Sequence, residues 1–131
     1  MFIDASALTA MVVGEPDAAS FLAKLKANRT RITSSIAIWE TAVAVARMLD
    51  LSIIQSDEAV IDFLSLMEIE TIEIPAGAAT LALNAFDRYG KGRHPARLNM
   101  GDCFAYACAR HFKQPLLYKG ADFPLTDIEA A

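Results

Sequence analysis

The stretch Leu98-Asn99-Met100-Gly101-Asp102-Cys103-Phe104-Ala105-Tyr106-Ala107 reads as the start of a buried helix with an acid in its first turn. Asn99 is a favourable N-cap, because its side-chain oxygen can accept from the free N–H groups two or three residues on. Asp102 then falls at the third helical position, where the positive end of the helix dipole favours a carboxylate. Cys103 to Ala109 are almost wholly apolar, so the helix is buried from its first turn. A carboxylate at the mouth of a buried helix needs a partner. A helix cap alone meets that need. Three further acids at awkward places, Asp4, Glu40 and Asp122, open a second reading in which the four share one site.

Upstream and downstream of this helix, strands alternate with helices. A short strand over residues 1–5 ends at Asp4. An apolar helix over Ala5–Val13 stops at Gly14 and Pro16, and an amphipathic helix follows over 17–27. Residues 31–34 form a second strand, and Ser34 or Ser35 caps a long apolar helix over 36–49 that carries Glu40. A fourth helix over 52–67 opens with Ser52 and Gln55 in capping-box spacing. Residues 71–74 alternate as a third strand, and Ala76–Tyr89 form an alanine-rich helix. Residues 88–97 hold Arg88, Lys91, Arg93 and Arg97, four of the twelve basic residues, among two glycines and a proline that predict a mobile loop. After the Asp102 helix, residues 116–118 form a fourth strand, 119–123 a turn and 125–128 an edge strand. The alternation predicts a single three-layer α/β/α domain over 1–131, with a central, mainly parallel sheet of four to five strands. Its ligand site belongs at the carboxyl ends of the strands.

Composition narrows the function. At 131 residues the chain suits one domain with a real core, and 54% hydrophobic residues exceed the usual share, which suggests a buried interface as well. No apolar run approaches the roughly 18 residues of a membrane span, and no basic leader precedes Phe2-Ile3, so a cytoplasmic protein is expected. Cys103 and Cys108 point to different faces of one helix and read as reduced core residues. The net charge of −4 argues at first sight against a nucleic-acid partner. Setting the four clustered acids aside leaves twelve acids against twelve bases. The balance then fits a metal-dependent enzyme with an anionic substrate.

Like charges about 4 Å apart repel by about 4 kcal/mol at an effective dielectric near 20, so four gathered carboxylates make a poor structural device without a cation. Their hard oxygens, without His or Cys, suit Mg²⁺ or Mn²⁺ over zinc. Such ions activate water and clamp the oxygens of phosphoryl transfer, and the basic segment beside them can hold a phosphate backbone. Singly, each residue also has an ordinary reading. Asp4 ends a strand, Glu40 is a solvated helix residue or faces something positive, Asp122 forms a turn, and 88–97 is a solvated loop. His94 and His111 read as a loop residue and a helix-end cation, and Trp39 and Met100 as core.

Four motifs carry a resemblance. Phe2-Ile3-Asp4-Ala5-Ser6-Ala7-Leu8, Ser34-Ser35-Ile36-Ala37-Ile38-Trp39-Glu40, Leu98-Asn99-Met100-Gly101-Asp102-Cys103 and Tyr118-Lys119-Gly120-Ala121-Asp122-Phe123 resemble, in order, the acidic motifs of PIN-domain ribonucleases. The likeness is strongest to the VapC-type toxins of bacterial toxin–antitoxin pairs, and it covers the whole chain. It implies Asp4, Glu40, Asp102 and Asp122 as metal ligands, Ser6 and Asn99 as hydrogen-bonding supports, and Asp127 as a further nearby acid. It also implies a homodimer, and an antitoxin that lays a segment across the acidic pocket, on faces supplied by the early apolar helices. Ala121 stands where many relatives carry a second Asp, a departure that bears on a second metal and not on the fourth ligand.

The reading is a Mg²⁺- or Mn²⁺-dependent endoribonuclease toxin that hydrolyses RNA with water as nucleophile, since no His pair offers metal-free acid–base chemistry. Two rivals stand beside it. A catalytically silent binding module of the same fold is set against the intact acid set. A phospho-receiver domain needs an acceptor Asp after the third strand, where Glu73-Ile74-Pro75-Ala76-Gly77 has none.

Overall fold

The structure, a computed structural model, describes residues 1–131. Four short strands, β1 (Phe2–Ile3), β2 (Ile32–Ser34), β3 (Glu70–Ile72) and β4 (Leu116–Leu117), form one sheet in the order β3-β2-β1-β4. Every pairing is parallel. Six helices connect them: α1 (Ala5–Val13), α2 (Ala18–Ala27), α3 (Ser35–Leu49), α4 (Ile53–Leu66), α5 (Ala78–Tyr89) and α6 (Met100–His111).

Successive strand residues point to opposite faces, and the two cores follow from this. Phe2 and Leu116 pack with α5 and α6, whereas Ile3 and Leu117 pack with α1, α3 and α4. β1 and β4 are fully buried, which explains their unbroken apolar character. The chain passes from β1 to β2 and β3 on one side, then crosses to β4 on the other. The order therefore reverses between β1 and β4, and a crevice opens beyond their carboxyl ends.

Cap chemistry sets the helix starts. The Ser34 hydroxyl accepts from the Ala37 N–H at 3.3 Å. Ser52 and Gln55 close the expected reciprocal box at the head of α4. Cys103 and Cys108 are free and buried, and burial pushes both thiols up to about 11.

Three local expectations change. The edge strand at 125–128 is absent. Pro124, with φ fixed near a helical value, sits in a 3-10 turn over Phe123–Leu125, and the tail rejoins the sheet only by a single bridge from Ala130 to Leu116. β3 covers Glu70–Ile72 and not 71–74, because its partner β2 is three residues long and pairs Ile32 with Glu70 and Ser34 with Ile72. Residues 88–97 are tied down and not a mobile loop. Lys91 N–H donates to Leu98 at 3.0 Å, Leu98 N–H to Tyr89 at 3.0 Å, and Ala96 is fully buried.

The Thr33 hydroxyl, fully buried in β2, donates to the Ile3 carbonyl at 2.9 Å, one residue before Asp4. Thr33→Val keeps the shape and deletes that bond. It should lower stability by about 1–3 kcal/mol with an unchanged denaturant slope. Unfolding in urea checks this, and an unchanged midpoint would show that the bond contributes nothing.

Candidate active site

Asp4 leaves β1 at its carboxyl end, is 3% exposed, and caps α1. Its Oδ2 accepts from the Ser6 N–H at 2.9 Å and from the Ser6 hydroxyl at 2.5 Å. The Ser6 Oγ in turn accepts from the Lys119 N–H at 2.9 Å, so the chain beyond β4 is tied to the chain beyond β1. Burial raises the Asp4 pKa, and the Ser6 bonds oppose the shift.

Glu40 comes from α3 and lays its carboxylate against the first turn of α6. A Cβ on Gly101 would collide with it. Burial first, then Asp4 and Asp102, push Glu40 up to about 7. What it meets directly is other acids and a helix N-terminus, and no basic side chain pairs with it.

Asp102 makes a reciprocal cap with Asn99: the Asn99 N–H donates to Asp102 Oδ2 at 2.8 Å, and the Asp102 N–H to Asn99 Oδ1 at 2.9 Å. The bond from Asn99 favours the carboxylate. Burial outweighs it, and with Asp4 and Asp122 nearby the group is pushed up to about 6. Asp122 is exposed, in the turn beyond β4.

Asp4, Glu40 and Asp102 line one cavity of about 420 Å³, with Arg47 and Lys119 also in its wall. Asp102 and Asp122 line an adjoining cavity of about 320 Å³ with Lys91 and Arg97. Asn99 and Asp102 belong to both. No three acids stand close enough to enclose an ion unaided. An ion here would complete its shell with water, the habit of Mg²⁺, which takes one or two carboxylates. The all-oxygen donor set fits that group.

The other expected residues divide. Ser6 and Asn99 bond Asp4 and Asp102 directly. Asp127 lies elsewhere: it accepts from the Tyr106 hydroxyl at 2.6 Å and pairs with Arg88 and Arg110, none of which lines either cavity. Arg88 is engaged there, and Arg93 pairs with Asp87 at 2.8 Å. Only Lys91 and Arg97 of the basic segment border the acids. Trp39 and Met100, expected in the core, are 67% and 65% exposed. Sequence reasoning passed over Gly101, Arg47 and Lys119. A glycine in the first turn of an otherwise good helix was the available signal for a close approach. Arg47 gave one too, two turns beyond Glu40 on the same face.

The PIN-domain family model matches residues 1–129. Ribonuclease VapC30 of Mycobacterium tuberculosis is 40% identical over 136 residues, covering 98% of this chain and 95% of its own. Ribonuclease VapC of Mycolicibacterium smegmatis is 38% identical over 138 residues, covering 99% of this chain and 98% of its own. The crystal structure of Mycobacterium tuberculosis VapC20, described as a sarcin–ricin loop cleaving toxin, is similar in fold, with TM-score 0.76 over 99% of this chain and 97% of its own at 16% identity. No helix here is long and apolar enough to cross a membrane. By its four acidic motifs, its parallel sheet and its full-length relatives, this chain belongs to the PIN-domain family and, within it, to the VapC group.

Proposed function

We propose that this protein is the endoribonuclease toxin of a toxin–antitoxin pair, with Asp4, Glu40, Asp102 and Asp122 as its cleavage site. The observation that carries the reading is the meeting of Asp4, Glu40 and Asp102 on one cavity beyond the carboxyl ends of the sheet. PIN-domain ribonucleases are metal-dependent in general, and the donor set here favours Mg²⁺ or Mn²⁺. When bound, such an ion supplies activation of water and stabilisation of the oxygen that leaves phosphorus. The chain's own residues hold the site. Ser6 fixes Asp4, Asn99 fixes one oxygen of Asp102 and leaves Oδ1 outside the cap, and the bare Gly101 lets Glu40 reach α6.

The partners follow from the same reading: an RNA substrate, a cognate antitoxin and a second copy of the chain, in the cytoplasm. Among the early apolar helices, α1 is mostly internal, whereas α3 exposes Trp39, Val43, Met48 and Leu49. Ile54 and Ile61 on α4 supply exposed apolar surface, as do Leu83, Phe86 and Met100 around the cavity between α5 and α6, which supports two contact faces.

Three outcomes test this reading. Cleavage should leave 5′-phosphate and 3′-hydroxyl ends and stop in EDTA. End mapping that finds cyclic 2′,3′-phosphates, or full activity in EDTA, would remove water as the nucleophile. Gly101→Ala should keep the fold, because alanine is the better helix former. It should lower kcat by about a hundredfold, because the Glu40 carboxylate must move, and wild-type turnover in a folded variant would detach Glu40 from the chemistry.

The third outcome concerns pH. An unfolded chain ionises its carboxyls near pH 4, whereas Glu40 and Asp102 wait until about 7 and about 6 in the fold. Between these values the unfolded state binds fewer protons, so stability in EDTA falls as pH rises from about 4 to about 7. Glu40→Gln should abolish cleavage and melt higher than wild type at pH 8 in EDTA. Melting lower there would make Glu40 a structural residue.

A further inference from the structure

The cations around the acid site fall into two classes. Lys119 is paired with Glu15 and Asp17, Arg93 with Asp87, and Arg88 and Arg110 with Asp127. Arg47, Lys91 and Arg97 form no ion pair, and all three are exposed. The unpaired three also stand at the acids, where the other cation, Lys119, is already paired. Arg47 lines the cavity of Asp4 and Glu40, while Lys91 and Arg97 line the cavity of Asp122. The cavities meet at Asn99 and Asp102, so Arg47 lines one and Lys91 and Arg97 line the other, with Asp102 shared between them.

Arg97 adds a backbone observation. Its φ of 52° is left-handed, a conformation few non-glycine residues adopt. The turn that contains it is closed by the Arg97 N–H donating to His94 at 3.0 Å. Strain of this kind persists where the surroundings over-determine a residue's placement, and here that placement is the wall of the Asp102 cavity.

We propose that a single RNA strand crosses the site over Asn99 and Asp102, its phosphates held by Lys91 and Arg97 on one side and by Arg47 on the other. The inference rests on the ribonuclease reading above and extends it to the path of the substrate. It follows from charge. An anionic chain that approaches a cluster of acids needs cations flanking the point of closest approach, and only cations not already neutralised can release the phosphates' counterions. Arg88 and Arg93, though in the basic segment, are excluded by their carboxylate partners.

The test uses the full chain carrying Glu40→Gln, which should bind without cutting, and a labelled mixed-sequence single-stranded oligoribonucleotide in Mg²⁺ over a range of salt. Each lost phosphate contact lowers the slope of log K against log salt by about 0.7. Arg47→Gln should lower it by about 0.7, Lys91→Gln with Arg97→Gln by about 1.4, and the triple variant by about 2.1, while Arg93→Gln leaves it unchanged. A normal slope for Arg47→Gln beside a lowered slope for the loop pair would overturn the two-sided path and leave the ribonuclease reading standing. An Arg93→Gln loss equal to that of one loop residue would overturn the selection by pairing. If the parent shows no salt-dependent RNA binding at all, the ribonuclease reading falls with the path.

Discussion

Carboxylates that share a half-buried cavity repel one another and lose hydration, and the rest of this structure is arranged around that constraint. Desolvation alone outweighs every favourable bond at Asp4 and Asp102. The fold answers each charge locally. Ser6 gives Asp4 two bonds, Asn99 gives Asp102 one, and the first turn of α6 presents its positive end to Glu40. None of these is enough to hold the groups at ordinary acidity, since Glu40 rises to about 7 and Asp102 to about 6. A divalent cation bound at the proposed site would relieve the residual imbalance, and metal affinity and apo instability would then be two faces of one arrangement.

The parallel sheet makes the gathering possible. Three of the four acids stand where a regular element begins or ends, Asp4 after β1, Asp102 at the head of α6 and Asp122 after β4, while Glu40 reaches them from within α3. Crossover connections return every strand in the same direction, so these ends collect on one edge. The two cores hold them there, because Phe2 and Ile3, adjacent in sequence, anchor opposite helical layers. Asp4 is thus fixed by packing on both faces of the strand before it.

Much of this was legible in the chain. Alternating strands and helices gave the layers, and cap chemistry marked the starts of α4 and α6, since Ser, Asn and their partners three residues on act within one turn. What escaped were features decided by distant contacts. The length of β3 is set by β2, the turn at 123–125 by a proline, and the order of residues 88–97 by bonds back to Tyr89 and a buried Ala96. Asp127 was expected near the site from the family resemblance alone. It turned away because Tyr106 and two arginines compete for it, and they hold it at about 2, the hydroxyl first among them. Trp39 and Met100 were misplaced for the opposite reason: hydrophobicity says a side chain avoids water but not whether its cover lies within the same chain.

The pairing of the surface cations carries a functional meaning that its energetics do not. Exposed ion pairs such as Arg93–Asp87 and Arg88–Asp127 add little stability. Their larger effect is on the field. Each pair removes one positive charge from the surface available to a polyanion, so pairing selects where such a ligand can lie without changing the net charge of −4. A chain that is acidic overall can therefore still present a path to nucleic acid, provided its unpaired cations stand beside the acids of the proposed site. Arg47, Lys91 and Arg97 meet that condition, and the global charge, which counted against a nucleic-acid partner, averages over pairs that have already cancelled.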